Sequence, residues 1–403
     1  MRQVSDRGFS FDDRGALGIS GAIGLRAGGA PARVGVVFGG PSPEHDVSVL
    51  TGLQAARGLR GAPNVGEIRS IYWTKTGEWF ETPMGLEAAE FVAGPPNGST
   101  PLRLAVGASG GFVARRSGRF GSKEEHLELD ALVICCHGGP GEDGTLQGVL
   151  DLCGIPYTGP TLASALIGMD KLAFSALMAS AWLQMLPRVQ LAEGSPAPTF
   201  PGPYIVKPRF GGSSIGIDVV SDYESAVARL KANPHLKRGA VIEPYQPELF
   251  DLQIAVRTWP EVQLSAIERP LRTRAGGEIL AYADKYVGSE GMTTAPRELP
   301  ARISPELERQ IRTVSPEVAT LCGVRGIARI DFLSDGEAVY VNEINTIPGS
   351  LARYLWIDPP LPFPALLLEL LGEAIARPST SFSTAGADGT VLRGAGSIGG
   401  KLA

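Results

Sequence analysis

Between residues 33 and 157, short β-rich runs alternate with segments of helical periodicity, and no other feature restricts the fold of this chain as much. Arg33-Val34-Gly35-Val36-Val37-Phe38 reads as a strand ending in Gly39-Gly40, after which Val47, Leu50 and Leu53 recur at helical spacing. A second strand is expected near 68–73 and a third at 131–136. Leu146, Val149, Leu150 and Cys153 then mark a helix ahead of a short strand at 155–157. Strands alternating with helices pair in parallel, so this part is read as a parallel α/β unit. Open α/β sheets bind ligands outside the carboxyl ends of their strands. The loops 39–45 and 137–144 both fall there, which singles out Glu44 and His137, whereas His45 reads as a surface or internally satisfied histidine.

Further along, apolar periodicity runs through 162–178, and a strand at 204–207 leads through a Gly/Ser loop to another at 215–220. Ser221 and Glu224 have capping-box spacing and open a helix. Another strand falls at 240–243. From Asp251 onward strands dominate, including 327–333 and 339–344 around Asp335-Gly336, and a Leu-rich helix spans 364–376. Residues 1–31 and 377–403 read as tails, the second holding Val391, Leu392, Ile398 and Leu402 as residues able to dock.

Composition narrows the function classes. Lys and Arg number 37 against 42 Asp and Glu, a net charge of −5, so no global basic field invites nucleic acid. The uncharged stretch 152–169 has the length of a membrane span, but Gly154, Pro156, Gly159 and Pro160 interrupt it; a strand, a turn and a helix start explain it better. Cys135, Cys136, Cys153 and Cys322 show no metal-ligand spacing and make no disulfide framework in so long a chain, which points to a reducing cytoplasm.

Two constellations carry chemistry. The run 204–217 delivers Lys207 from a strand and passes at once through Gly211, Gly212, Ser213 and Ser214. Glycine lets backbone N–H groups surround phosphate oxygens, and lysine adds a point charge. The run is neither a Walker A loop nor a dinucleotide fingerprint, and alone it reads equally well as a glycine-rich turn beside a solvated lysine. In the second constellation, Arg329 and Asp331 share one strand face, as do Glu343 and Asn345. Two acids and an amide are hard oxygen ligands suited to Mg2+ held together with nucleotide phosphates, and an arginine among them fits a transferring phosphoryl group. The plainer alternative is a half-exposed hairpin with polar residues facing water. A two-residue turn at Asp335-Gly336 puts Asp331 and Glu343 on opposite faces, so a shared metal site requires an odd loop or a bulge. A five-residue loop sets Asp331 opposite Val341 and diagonal to Glu343.

Taken in order, the words GGPSPEHDVS (39–48), HGGPGEDGTLQG (137–148), GIPYTGP (154–160) with LASALIGMDK (162–171), VKPRFGGSSIGI (206–217), DKY (284–286), and ARIDF (328–332) with NEINTIPG (342–349) resemble the D-alanine–D-alanine ligases of the ATP-grasp superfamily. The resemblance covers residues 33–372 and implies a multidomain α/β and α+β protein. Its N-terminal α/β domain would span 32–158, and two ATP-grasp domains, at 159–243 and 244–376, would clamp ATP between antiparallel sheets. It further implies that ATP phosphorylates the carboxylate of one D-alanine and that the amine of a second attacks this acyl phosphate. Phosphate then leaves from a tetrahedral intermediate, and the product serves peptidoglycan precursor synthesis in the cytoplasm. A homodimer with small-molecule substrates, and neither nucleic-acid nor membrane partners, completes the expectation.

By the same match, Lys171 and Lys207 hold ATP phosphates with backbone help from Gly212, Ser213 and Ser214. Glu243 and Tyr245 belong to the hinge receiving adenine, and Asp251, with Glu248 as competitor, to the ribose site. Asp331, Glu343 and Asn345 bind two Mg2+ ions, for which Mn2+ can substitute. Arg329 neutralises the transferring phosphoryl group and the oxyanion. Glu44 holds the first substrate's ammonium beside His137, and Glu44, Ser213 and Tyr286 tie a lid at about 282–296 over the site. Such a lid keeps water from the acyl phosphate. Gly349, Tyr354 and Leu355 fall at the acceptor end, where Tyr354 stands in place of the family's serine and Arg353 is a candidate charged fork. Gly211 stands where an acid is common, and Tyr286 favours an amine acceptor over a hydroxy acid. Two competing implications are a sister ligase with another amino or hydroxy acid acceptor, and a nucleotide-binding regulator without ligation. The intact set of Lys207, Arg329, Asp331, Glu343 and Asn345 opposes the second.

Overall fold

Continuous apolar runs make strands that are buried on both faces, and Ala32–Gly39 (β1) is one, closed off from solvent along almost all its length. The computed structural model describes residues 32–107, 109–118, 121–271, 296–380 and 382–398, together with 10–11 and 17–18. Strand β1 lies between Val65–Trp73 (β2) and Ala131–Ile134 (β7) and is parallel to both, as the alternating pattern predicts. The crossover helix His45–Leu59 (α1) presses Gly52 onto Phe38, leaving no room for a Cβ. Beyond β2 the sheet continues as an antiparallel meander of Trp79–Thr82 (β3), Thr100–Ala105 (β4), Gly111–Gly118 (β5) and Gly121–His126 (β6). The strand order is thus β6-β5-β4-β3-β2-β1-β7. The sequence reading places no strands there, although β4 alternates half-buried Leu102 and Leu104 with exposed Pro101 and Arg103. The strand expected at 155–157 reduces to one parallel bridge between Tyr157 and Leu132, after helix Thr145–Cys153 (α2).

The periodic stretch 162–178 is two helices, Leu162–Met169 (α3) and Lys171–Ser180 (α4), broken at Asp170. The Asp170 carboxylate accepts the N–H groups of Leu172 and Ala173, so it opens α4 by capping its first turn. A four-stranded antiparallel sheet follows, built from Val189–Leu191 (β8), Tyr204–Pro208 (β9), Asp218–Val220 (β10) and Ala240–Pro244 (β11) in the order β8-β11-β9-β10. Its helix, Tyr223–Ala232 (α5), is capped by Asp222, which accepts from the N–H of Ser225; Ser221, the expected cap, instead donates its hydroxyl to Asp222. A second antiparallel sheet has the order β13-β12-β14-β15. Its strands are Phe250–Arg257 (β12), Gln263–Leu264 (β13), Ile327–Ser334 (β14) and Val339–Asn345 (β15), and helix Pro305–Leu321 (α6) covers it.

Among the described residues three apolar cores bind these layers, and two of them cross the divisions expected from the sequence. Helix Phe363–Ala376 (α7), read with the C-terminal domain, packs Leu366, Leu367 and Leu370 into the core of the N-terminal sheet. Helix α4, read with the central domain, sends Phe174 and Met178 into the core beneath β12, β14 and β15. A small third core lies under the central sheet. All four cysteines are buried and free. Among the described residues no helix is long and apolar enough to cross a membrane. In the C-terminal segment Val391, Leu392 and Ile398 are exposed rather than docked; the first two sit on a four-residue helical turn, too short to present an apolar face. Leu402 and nearly all of 1–31 lie outside the described residues.

Candidate active site

Strands β1 and β7 end side by side, and the loops that follow them meet as expected. Ser213 donates its hydroxyl to the Glu44 carboxylate, which also lies against Gly138; a Cβ on Gly138 would collide with it. His137 is buried, and its ring is fixed at both nitrogens. Nδ1 lies 2.7 Å from the Ile347 carbonyl, which only accepts, so Nδ1 carries the proton and Nε2 accepts the Thr51 hydroxyl at 2.8 Å. Thr51 in turn accepts the N–H of Ser350 at 3.0 Å. Burial pushes the His137 pKa down to about 4, so the ring is neutral. Glu142, which the sequence reading passed over although it stands inside the word at 137–148, accepts the N–H groups of Gly138 (2.8 Å) and Ile347 (2.9 Å). Burial, reinforced by the Glu44 charge, raises its pKa to about 7. His45 is the internally satisfied histidine expected, bound to the Gly40 carbonyl and the Tyr72 hydroxyl.

The two antiparallel sheets face one another across a cavity whose walls include Lys171, Lys207, Tyr245, Asp251, Asp331 and Glu343. Lys207 points inward from β9 and donates to Glu243 Oε2 at 2.8 Å, its diagonal neighbour on β11. Lys171 is no helix-surface lysine: it is buried, and its ammonium donates to the Gly211 carbonyl at 2.5 Å. Burial lowers its pKa, against the opposing charges of Glu343 and Glu243. Glu243, expected at the adenine hinge, turns its carboxylate onto Lys207 and Arg188 and lines the cavity together with Tyr245. Burial alone raises the Glu243 carboxyl, but Arg188 and Lys207 outweigh it and hold the pKa at about 2. Asp251 lies on the cavity wall, whereas its competitor Glu248 is exposed. An adjoining cavity is lined by Glu44, His137, Glu142, Arg329, Asn345 and Gly349, and both cavities share Lys171, Gly211, Gly212 and Glu343.

The β14–β15 hairpin solves the register problem with a bulge rather than an odd loop. Ser334 pairs with Val339 and Phe332 with Val341 around a four-residue loop, then the register shifts so that Asp331 faces Glu343 and Arg329 faces Asn345. Asn342 is the extra residue. All four side chains thereby share one face. The diagonal geometry of a five-residue loop does not occur. Arg329 forks onto both oxygens of Asp331 at 2.7 Å, and Asn345 adds an amide donor at 3.2 Å. Among the described residues no group of three His, Cys, Asp or Glu is placed to hold a metal by itself. Two facing carboxylates and an amide fit Mg2+ that completes its shell with phosphate oxygens and water.

Residues 33–160 match the family model described as D-ala D-ala ligase N-terminus, and residues 166–371 match D-ala D-ala ligase C-terminus. The chain belongs to the D-alanine–D-alanine ligase family. The D-alanine–D-alanine ligase of Mycolicibacterium smegmatis is 30% identical over 374 residues, covering 86% of this chain and 96% of that protein. Its counterpart from Chlorobium limicola is 30% identical over 388 residues, covering 86% and 98%. Among solved structures, the D-alanine-D-alanine ligase from Coxiella burnetii superposes with a TM-score of 0.68 at 22% identity, covering 86% of this chain and 94% of its own. The VanG D-Ala:D-Ser ligase from Enterococcus faecalis gives 0.65 at 23%, covering 85% and 99%. These two share the ATP-grasp fold with this ligase-family chain.

The residues expected at the acceptor end lie in different surroundings. Gly349 lines the second cavity, but Tyr354 and Leu355 line neither. Three successive residues, Ser350, Leu351 and Ala352, take left-handed conformations near φ +50, and the chain winds back so that Leu355 is fully buried in the N-terminal core. The guanidinium of Arg353, the candidate fork, lies over the Phe363 ring. The charge beside Tyr354 comes from Arg297, stacked on its ring at 4.9 Å and ion-paired with Glu268 at 3.0 Å. Tyr286 and the lid expected at about 282–296, Pro296 excepted, lie outside the described residues.

Proposed function

We propose that this chain joins two D-alanine molecules at the expense of ATP, through a D-alanyl phosphate. The observation that carries this reading is the junction of the two cavities at Lys171, Gly211, Gly212 and Glu343, where a nucleotide's terminal phosphate and a donor carboxylate would meet. A carboxylate is a poor electrophile; phosphorylation converts one oxygen into a leaving group. The acceptor nitrogen then adds to the acyl carbon, and the carbon–oxygen bond to phosphate breaks. Lys171, Lys207 and Arg329 offset the negative charge that these reactants bring together. Asp331, Glu343 and Asn345 would hold divalent ions, which would supply positive charge against the phosphates. Glu44 would bind the donor ammonium, and a neutral His137 beside it adds no repelling charge. Two Mg2+ ions with Mn2+ as a substitute, a homodimer, a cytoplasmic location and a role in peptidoglycan precursor synthesis belong to the same reading.

A second reading, a sister ligase with another acceptor, draws on Tyr354 and the Arg297 stack at the acceptor end. A competition assay separates the two. With ATP and Mg2+, and D-alanine, D-serine and D-lactate offered together, D-alanyl-D-alanine should dominate the products. A mostly depsipeptide product, or none of this dipeptide, overturns the first reading.

A further inference from the structure

Arg188 stands at the entrance to β8, outside every sequence word that marked the site, and its side chain is 2% exposed between the two antiparallel sheets. Its Nε donates to Glu243 at 2.6 Å, and its Nη1 to the Lys171 carbonyl at 3.3 Å and the Ser175 hydroxyl at 3.2 Å. Its Nη2 donates to the Asn342 carbonyl at 3.0 Å and, at 3.4 Å, to the Asn342 side chain. Asn342 is the bulge residue of the β14–β15 hairpin. With the four-residue loop, regular pairing would set Asp331 opposite Asn342 and turn Glu343 and Asn345 to the other face of the sheet. The bulged register keeps them on the Asp331 face and leaves Asn342 without a cross-strand partner, and Arg188 takes up its carbonyl. The same connection accepts the N–H of Val341 on the Gln184 carbonyl at 2.9 Å. A carbonyl shut between two sheets, even a half-buried one, is costly to leave without a donor, so a charged donor placed there favours one of the two registers.

We propose that Arg188 is a positioning residue that locks the metal-facing register of this hairpin and so ties the lysine site on the central sheet to the divalent-ion site on the C-terminal sheet. The proposal rests on the reading of Asp331, Glu343 and Asn345 as metal ligands, and calorimetric titration of the full chain with ADP, with and without Mg2+, tests both separately. In the wild type, Mg2+ should tighten ADP binding by about tenfold. No such linkage in the wild type overturns the metal reading and the proposal with it. Arg188→Lys keeps a positive charge beside Glu243, but one ammonium does not span Glu243 and Asn342 together. It should cut the Mg2+ effect to less than about twofold while leaving metal-free ADP affinity within about threefold. An unchanged Mg2+ effect in this variant overturns the proposal alone. Deleting Asn342 from Arg188→Lys makes regular pairing place Glu343 opposite Asp331, so the deletion should restore the linkage; failure to restore it also overturns the proposal. Should Arg188→Lys not fold, the Asn342 deletion in the wild-type background decides, since a regular hairpin no longer needs the arginine and should keep its Mg2+ effect, whose loss contradicts the lock.

Discussion

At the scale of single residues, the site is set by how each buried ionisable group is partnered. His137 shows this best, because its proton count follows from the Ile347 carbonyl on one side and the Thr51 hydroxyl on the other. Its pKa of about 4 lies below the ordinary 6.5, so between those values the unfolded chain holds more protons than the folded one, and stability rises with pH across that span. Glu142 runs the other way: its folded value of about 7 exceeds the ordinary 4.5, and its contribution falls as pH rises between them. Comparing melting temperatures of wild type and His137→Gln at each pH isolates the histidine. The wild type should gain on the variant as pH rises from about 4 to 6.5, whereas a gap independent of pH would show that His137 is not held neutral. Lys207, Arg329, Asp331 and Glu343 were legible from the sequence because charged residues at period two inside apolar strands declare their face. Glu142 and Arg188 were not, since their partners lie up to 205 residues away, as Ile347 does from Glu142.

At the scale of elements, loops and registers decide which side chains meet. In the β14–β15 hairpin, alternation required either an odd loop or a bulge, and only the fold shows that the bulge falls at Asn342. The meander β3–β6 stayed hidden because its signals are mixed: β6 is polar throughout and the leucine alternation of β4 spans only Leu102 and Leu104, even though β5 buries Phe112, Val113 and Ala114. The 137–144 loop offers a sharper test. Gly138 has φ +62 and no space for a Cβ beside Glu44, so Gly138→Ala should displace the group assigned to the donor ammonium. The D-alanine KM should rise at least about tenfold, with the ATP KM within about twofold, in steady-state assays. Equal changes in both constants would mean that the loop serves general stability instead.

At the scale of the whole molecule, the three large sheets are bound together by cores and struts that ignore sequence order, which is why alternating motifs foretold the layers but not how they interlock. Arg325 is one strut: its guanidinium donates to the carbonyls of Gly159, Tyr157 and Arg377 at 2.9, 2.5 and 3.0 Å, joining β14's approach to the N-terminal sheet and the end of α7. Arg325→Met strips three carbonyls of their donor, that of Tyr157 fully buried and the other two partly, and should cost about 2–4 kcal/mol, read from urea unfolding; a loss under about 0.5 kcal/mol would show that water or neighbouring groups replace it.

The acyl phosphate itself leaves an isotopic record. D-alanine carrying heavy oxygen in its carboxylate, incubated with the full chain, ATP and Mg2+, should yield ADP, phosphate and D-alanyl-D-alanine in equal amounts, with one carboxylate oxygen transferred to each phosphate because the carbon–oxygen bond to the phosphoryl group is the one that breaks. Phosphate free of the label, or ADP formed without dipeptide, would contradict ligation through an acyl phosphate and leave an ATP-binding protein of the same fold with different chemistry.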